Sequence, residues 1–167
     1  MLNDEDLNRY ARQIIIPNLE EEGQEKLLNT NCLIVGAGGL GCPVALYASA
    51  AGFGHIEIYD QDIIEVSNLN RQIAHKYSKI GINKAENLVK ECLKINPNIS
   101  LISKKKIFDE KIDINNFDLI FDCSDNPETK YILNRLSHKS KKILISASAV
   151  QMEAQLAIWK SGVNENL

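Results

Sequence analysis

A chain of 167 residues, 44% hydrophobic and 25% charged, is long enough for one domain with a real core and short for two. Its net charge of −3 argues against nucleic acid as the main partner, and the Lys104-Lys105-Lys106 run reads as a solvated strand end. No apolar run approaches the roughly 20 residues of a membrane span, and no signal-peptide pattern opens the chain, so no membrane and a cytoplasmic setting are expected.

Residues 4 to 15 read as an amphipathic helix with Leu7, Tyr10, Ala11, Ile14 and Ile15 on one face, Asn3 or Asp4 as cap and Pro17 as stop. A second short helix is expected over Glu20 to Leu28. Neither belongs to a minimal nucleotide-binding unit, so this arm is expected to dock elsewhere or on a second subunit. The apolar run Cys32-Leu33-Ile34-Val35 then suits a buried strand. Gly36, Gly38 and Gly41 follow in G-x-G-x-x-G spacing, and a helix is expected over about 40–51, with Pro43 where its missing N–H costs little. Leu40, Val44, Ala48 and Ala51 are expected to face inward, and Gly52 and Gly54 to end the helix. Strand, glycine turn and helix together bring bare N–H groups and a helix N-terminus against an anion. This predicts a nucleotide-phosphate site.

The second strand is His55 to Tyr59, closing on Asp60, 24 residues past Gly36. That suits a carboxylate on ribose hydroxyls, with a loop cap as the plainer reading. A polar loop from Gln61 to Gln72 follows, then a helix over about Asn83 to Ile95 with Ala85, Leu88, Val89, Cys92 and Leu93 on one face. A strand is expected in 99–107, a linker with one helical turn in 109–116, a strand over Phe117 to Asp122 and a helix from Ser124 to about His138. Another strand spans Lys142 to Ser146. From Gln151 to Trp159, Met152, Ala154, Leu156 and Ile158 alternate, which suggests a half-exposed or antiparallel strand, and the residues after it are polar. The pattern is that of an α/β, Rossmann-like doubly wound, mostly parallel sheet with helices on both faces and an N-terminal helical arm.

Cys32, Cys92 and Cys123 read as small buried hydrophobes. Cys42 lies close to a helix N-terminus, where a thiol could be activated, although burial remains the favoured reading. No C-x-x-C pair occurs, so zinc is not expected. Arg71 and Lys84 follow the second strand and fall at the same sheet end as the glycine turn. Cations there suit a triphosphate under attack better than an intact dinucleotide, and Asp125, past the fourth strand, is a natural Mg²⁺ ligand among phosphates. On spacing alone Arg71 and Lys84 could equally be ordinary surface cations, and Asp125 a helix cap. An NAD-dependent oxidoreductase would rest only on the glycine turn and Asp60.

Taken together, Arg9-Tyr10-Ala11-Arg12-Gln13-Ile14, Gly36-Ala-Gly-Gly-Leu-Gly-Cys42, Asp60-Gln-Asp62, Ser67-Asn-Leu-Asn-Arg-Gln72, Gly81-Ile-Asn-Lys84, Ile95-Asn-Pro97, Asp122-Cys-Ser-Asp125-Asn126 and Gln151-Met152-Glu153-Ala154-Gln155 resemble the ThiF/MoeB/HesA group in order and spacing. These are E1-like adenylyltransferases that activate ubiquitin-like sulfur-carrier proteins. The resemblance implies that Gly39 approaches the ATP phosphates together with Gly36, Gly38 and Gly41. It implies that Asp60 holds the ribose, that Asn68, Arg71 and Lys84 contact phosphates, and that Asp125 holds Mg²⁺ or orients the attacking group. Arg12 matches an arginine that reaches the partner subunit's site, which implies a homodimer. The implied reaction is adenylylation of a carrier's C-terminal Gly-Gly carboxylate, as in molybdopterin or thiamine pathways, with release of pyrophosphate. The chain departs from the group after 159. Neither C-x-x-C pair nor the crossover loop is present, so residues 1–167 read as a single ATP-binding domain without the zinc region. The alternative is a truncated nucleotide-binding or scaffold module without turnover.

Overall fold

The structure is a computed structural model that describes residues 1–160; the polar stretch expected beyond Lys160 lies outside the described residues. Its elements in chain order are α1 (Asp4–Arg9), α2 (Ala11–Ile14), α3 (Glu20–Leu28), β1 (Asn31–Val35), α4 (Gly41–Ala51), β2 (His55–Tyr59), α5 (Lys84–Ile95), β3 (Ser100–Lys104), β4 (Leu119–Asp122), α6 (Pro127–Lys139), β5 (Ile143–Val150) and β6 (Glu153–Lys160). The strands form one sheet in the order β3-β2-β1-β4-β5-β6, and all neighbours are parallel except β5 and β6. This is the doubly wound order whose direction reverses between β1 and β4, the place where such sheets leave a crevice at their carboxyl ends.

Strand alternation divides the core. Cys32 and Ile34 of β1, with Ile56 and Ile58 of β2, pack under α4 and α5. Leu33 and Val35 face the other way, with Tyr59, Ile120, Leu133 and Leu144. Both faces of β1 are therefore dry, which is why it reads as a continuous apolar run. On the second face no helix forms between β3 and β4. Phe108, Ile114 and Phe117 plug that gap, and a groove of about 620 Å³ lined by Glu57, Lys104, Lys106 and Asp113 is left beside them. Among the described residues no helix is long and apolar enough to cross a membrane.

Several elements differ from expectation. The first helix is broken at Tyr10, whose backbone leaves helical geometry (φ −100°, ψ 12°). Of its expected apolar face only Tyr10 is buried; Ile15 is 69% exposed. The arm docks on its own chain. The Tyr10 hydroxyl accepts from Asn96 Nδ2 at 2.8 Å, Gln13 and Gln24 both donate to the Ala51 carbonyl, and Arg9 donates to the Ile95 carbonyl. The fully buried side of α4 is Gly41, Cys42, Ala45, Ala48 and Ser49, small residues that let the helix approach the sheet closely; Ala48 lies there as expected, Leu40 and Val44 pack half-buried against the same core, and Ala51 is half-buried. Leu93 of α5 is 37% exposed. The strand β5 runs on to Val150 and pairs along its length with β6, so the alternation at 152–158 is that of an antiparallel edge strand exposed nearly throughout.

Candidate functional site

The glycine turn lies at the point where the sheet order reverses. Gly36 (φ +101°) sits against the β4 exit: a Cβ there would fall 2.6 Å from the Cys123 carbonyl oxygen, and one on Gly41 would fall 1.8 Å from the Gly36 oxygen. Only glycine lets the chain fold so tightly at both places. The turn is anchored from β2, since Gly36 N–H donates to the Tyr59 carbonyl at 2.9 Å and Ala37 N–H to Asp60 Oδ2 at 2.7 Å. Among the described residues the N–H groups of Gly38, Gly39 and Leu40 have no acceptor, and α4 starts without a side-chain cap. Free amides at a helix N-terminus form an anion cradle.

Two side chains from the polar loop cover this cradle. The aliphatic stem of Arg71 lies over Gly39, 3.6 Å from where its Cβ would be, and the guanidinium rests on the Ser67 carbonyl and Asn70 Oδ1. Gln72 stands over Gly38 and is 3% exposed, with its Oε1 buried and without a partner among the described residues. Asn68 shapes this bend. Its Oδ1 accepts from Glu65 N–H, and its carbonyl accepts from the N–H groups of Arg71 and Gln72.

The loop is tied to Asp60 and to α5. Asp60 Oδ1 accepts from Asp62 N–H, and Asn83 Nδ2 donates to the carbonyls of Asp60 and Asp62 while its Oδ1 caps α5 through Glu86 N–H. Lys84 follows at the first position of α5, only 8% exposed, with Nζ 3.0 Å from Asp62 Oδ2. A cation in a first helical turn opposes the helix dipole and is disfavoured there unless an anion joins it. Burial pushes the Asp60 carboxyl above its ordinary value, against the two N–H bonds it accepts.

Asp125 lies across the turn, past β4. It is exposed and makes no hydrogen bond or ion pair among the described residues. It does not cap α6: Asn126 does, by accepting from Glu128 N–H at 2.8 Å. Behind it, buried Asp122 accepts from Ser124, Lys130 Nζ and Ser146 Oγ, which ties β4, α6 and β5 together. Among the described residues no group of three or more His, Cys, Asp or Glu side chains could hold a metal by itself.

Gly36, Gly38, Gly39, Gly41, Asp60, Asn68, Arg71, Lys84 and Asp125 thus gather at one end of the sheet. Arg12 does not. Its neighbour Gln13 binds the last residue of α4, and the 11 residues of that helix separate it from the glycine turn by about 16 Å. Arg12 is exposed and has no partner among the described residues. Cys42 is fully buried and its thiol is pushed up to about 11 by burial, so the helix N-terminus does not activate it. The sequence reading assigned no role to Gln72, Asp122 or His75. Gln72 and Asp122 fall within stretches that resemble the family, whereas His75 carries no local signal.

The strand order and the glycine turn at its reversal define a Rossmann-like, doubly wound α/β protein. The chain belongs to the ThiF family, whose sequence model matches residues 10–167. It is 40% identical over 164 residues to adenylyltransferase and sulfurtransferase MOCS3 of Drosophila yakuba, an alignment covering 96% of this chain and 36% of that protein. The chain therefore spans about a third of that relative's length. Among solved structures, E. coli MccB with ATP superposes with a TM-score of 0.77 at 29% identity, over 83% of this chain and 43% of that one. PaaA superposes with a TM-score of 0.86 at 23% identity over 100% of this chain and 59% of its own, a likeness of fold alone.

Proposed function

We propose that residues 1–167 form one ATP-binding domain of an adenylyltransferase that activates the C-terminal glycine carboxylate of a ubiquitin-like sulfur-carrier protein. The observation that carries this reading is the bare amide cradle at Gly38–Leu40, flanked by Arg71 and Lys84 on one side and by unpaired Asp125 on the other. The relative named adenylyltransferase and the ATP-bound MccB structure support it.

In this mechanism the carrier's carboxylate oxygen attacks the α-phosphorus of ATP. The bond to the bridging oxygen breaks, and pyrophosphate leaves with the electron pair. The carboxylate is already ionised, so no general base is needed; positioning and neutralisation of charge do the work. Asp60 orients the ribose through the lone pairs its two N–H bonds leave free. The N–H groups of Gly38, Gly39 and Leu40 take the phosphates, and Arg71, Lys84 and the Asn68 amide bind developing charge. Leaving its rest on Ser67 costs Arg71 little, because the site it leaves is exposed. Asp125 fits Mg²⁺ as a single free carboxylate, since Mg²⁺ commonly takes one or two carboxylates and completes its shell with phosphates and water. When bound, it would neutralise phosphate charge. Arg12 sits too far from its own turn to serve it, which supports a homodimer in which it reaches the other subunit's phosphates. A cytoplasmic setting completes the reading.

ATP–pyrophosphate exchange with a glycine-tailed carrier tests the proposal. Exchange that requires the carrier and falls on Arg71→Ala or Lys84→Ala supports it. ATP binding without exchange reduces it to a nucleotide-binding module, and no ATP binding ends it.

A further inference from the structure

His75 is buried and lies 38 residues along the chain from the glycine turn, yet its Nε2 is 3.0 Å from the Ala37 carbonyl oxygen. Its other ring nitrogen is fixed by α5. Asn87 Nδ2 donates both to the Ala74 carbonyl at 3.1 Å and to His75 Nδ1 at 3.0 Å. Nδ1 is therefore the acceptor, so the proton resides on Nε2 and points at Ala37. From α4, Cys42 Sγ closes the remaining side, 3.7 Å from Nε2 and 3.4 Å from the same carbonyl.

The Ala37–Gly38 peptide is planar and trans, so its C=O and N–H point in opposite directions. A carbonyl held inward fixes the next N–H outward. We infer that His75 is a positioning residue that sets the anion cradle, holding the Ala37 carbonyl inward so that the Gly38 N–H faces the nucleotide phosphates. The inference rests on the nucleotide reading only for the identity of the anion. The N–H of Ala37 is held by Asp60 and the carbonyl of Gly38 by Cys42 N–H, so with His75 the peptides of the turn are pinned from three elements.

Protonation would disturb the other side of the ring, since the Nε2–H bond to Ala37 is made in either form. A proton on Nδ1 would face the Asn87 amide, donor against donor. The groups around the ring are Cys42 from α4, Asn87 and Glu91 from α5, Lys84 at the start of α5 and Asp60 from the end of β2. Burial, the largest influence, and Lys84 favour the neutral form, and the Ala37 carbonyl, Asp60 and Glu91 oppose them.

The test compares His75→Phe, which keeps a flat ring but has no donor, with His75→Gln, whose amide nitrogen can take the place of Nε2. In the ligand-free protein, hydrogen exchange at the Ala37 and Cys42 amides reports the turn, and β3 amides serve as the reference. Exchange at the turn should accelerate about tenfold in His75→Phe and stay within about threefold of the original in His75→Gln. The Kd for ATP–Mg²⁺ should follow the same order. A turn as protected, and ATP bound as tightly, in His75→Phe as in the original chain overturns the inference. If the original chain binds no ATP but His75→Phe still loosens the turn, the nucleotide reading fails and the positioning role stands. Should His75→Phe not fold, the ring's ¹⁵N spectrum decides: an Nε2–H tautomer supports the role and an Nδ1–H tautomer overturns it.

Discussion

At the carboxyl end of the sheet the charged groups are held before any ligand arrives. Asp60 is fixed by two backbone amides, Lys84 by Asp62, and Asp122 by a lysine and two serines. At the amino end the arm is fastened just as firmly, through Tyr10, Gln13 and Gln24, but of its two arginines Arg12 is exposed with nothing among the described residues to meet it. On the proposed reading, this docked arm presents its free cation to a second subunit. The same division runs through the site itself. Lys84 is buried and positioned, whereas Asp125 and the Arg71 guanidinium are exposed and free to close on a substrate. On the proposed reading, held groups define where the phosphates go, and free groups respond to them.

The sharpest way to break this comparison is by subunit mixing. Lys84→Ala should lower exchange by about 10²–10³, the usual cost of removing a preorganised group that meets developing charge. Arg12→Ala should cost a similar factor. Mixed with Asp125→Ala chains, however, Arg12→Ala should recover about a quarter of the original rate, because half of a random set of dimers then hold one intact site of two. Lys84→Ala mixed with Asp125→Ala should recover nothing, since both residues serve the same subunit's site. Recovery in both mixtures, or in neither, would place Arg12 and Lys84 in the same relation to the site and remove the distinction between the two ends.

The next largest effect is on stability. Gly41→Ala puts a Cβ 1.8 Å from the Gly36 carbonyl oxygen, a backbone atom that cannot rotate away. A loss of about 3 kcal/mol in denaturant unfolding is expected. At the other end, Tyr10→Phe removes only the bond from Asn96 and should cost about 1 kcal/mol while exchange stays unchanged. A larger loss of exchange in Tyr10→Phe would mean that the arm does more than hold Arg12 in place.

What was legible in the sequence follows from how local the signal was. The strands β1 and β2, the glycine turn and α5 announce themselves within windows of a dozen residues, and the structure places them within a residue or two of expectation. The break at Tyr10 is hidden because the arm's helical periodicity continues through it; docking on Asn96 and Ala51, far along the chain, accompanies it. The inward face of α4 is only partly legible in its periodicity: Ala48 lies on it, but the contact side is otherwise small residues, and the larger Leu40 and Val44 pack at its margins. At the site, the sequence left Asp125 as either a ligand or a helix cap, and only geometry shows that Asn126 takes the cap and leaves the aspartate free. His75 could not be read at all, because its partners Ala37 and Asn87 come from two separate elements.

The smallest expected effect bears on that last residue and concerns pH. Burial lowers the pKa of His75 below its ordinary 6.5. As pH falls through that value the unfolded chain takes up its proton first, so the unfolded state binds more protons and stability declines with falling pH. The decline continues until the folded pKa is reached and cannot exceed about 1.4 kcal/mol per pH unit. Asp60 works in the opposite sense and lower down, since its raised carboxyl lets the folded state take up a proton before the unfolded one. Unfolding titrations of the original chain and of His75→Gln, at about pH 7.5 and about pH 5.5, separate these contributions. The original chain should lose more stability across this interval than the glutamine variant, and the difference should vanish at the higher pH apart from a constant offset. Equal losses in both would mean that the buried ring does not titrate below its ordinary range, and the pH response of the carboxyl end of the sheet would then lie with other groups.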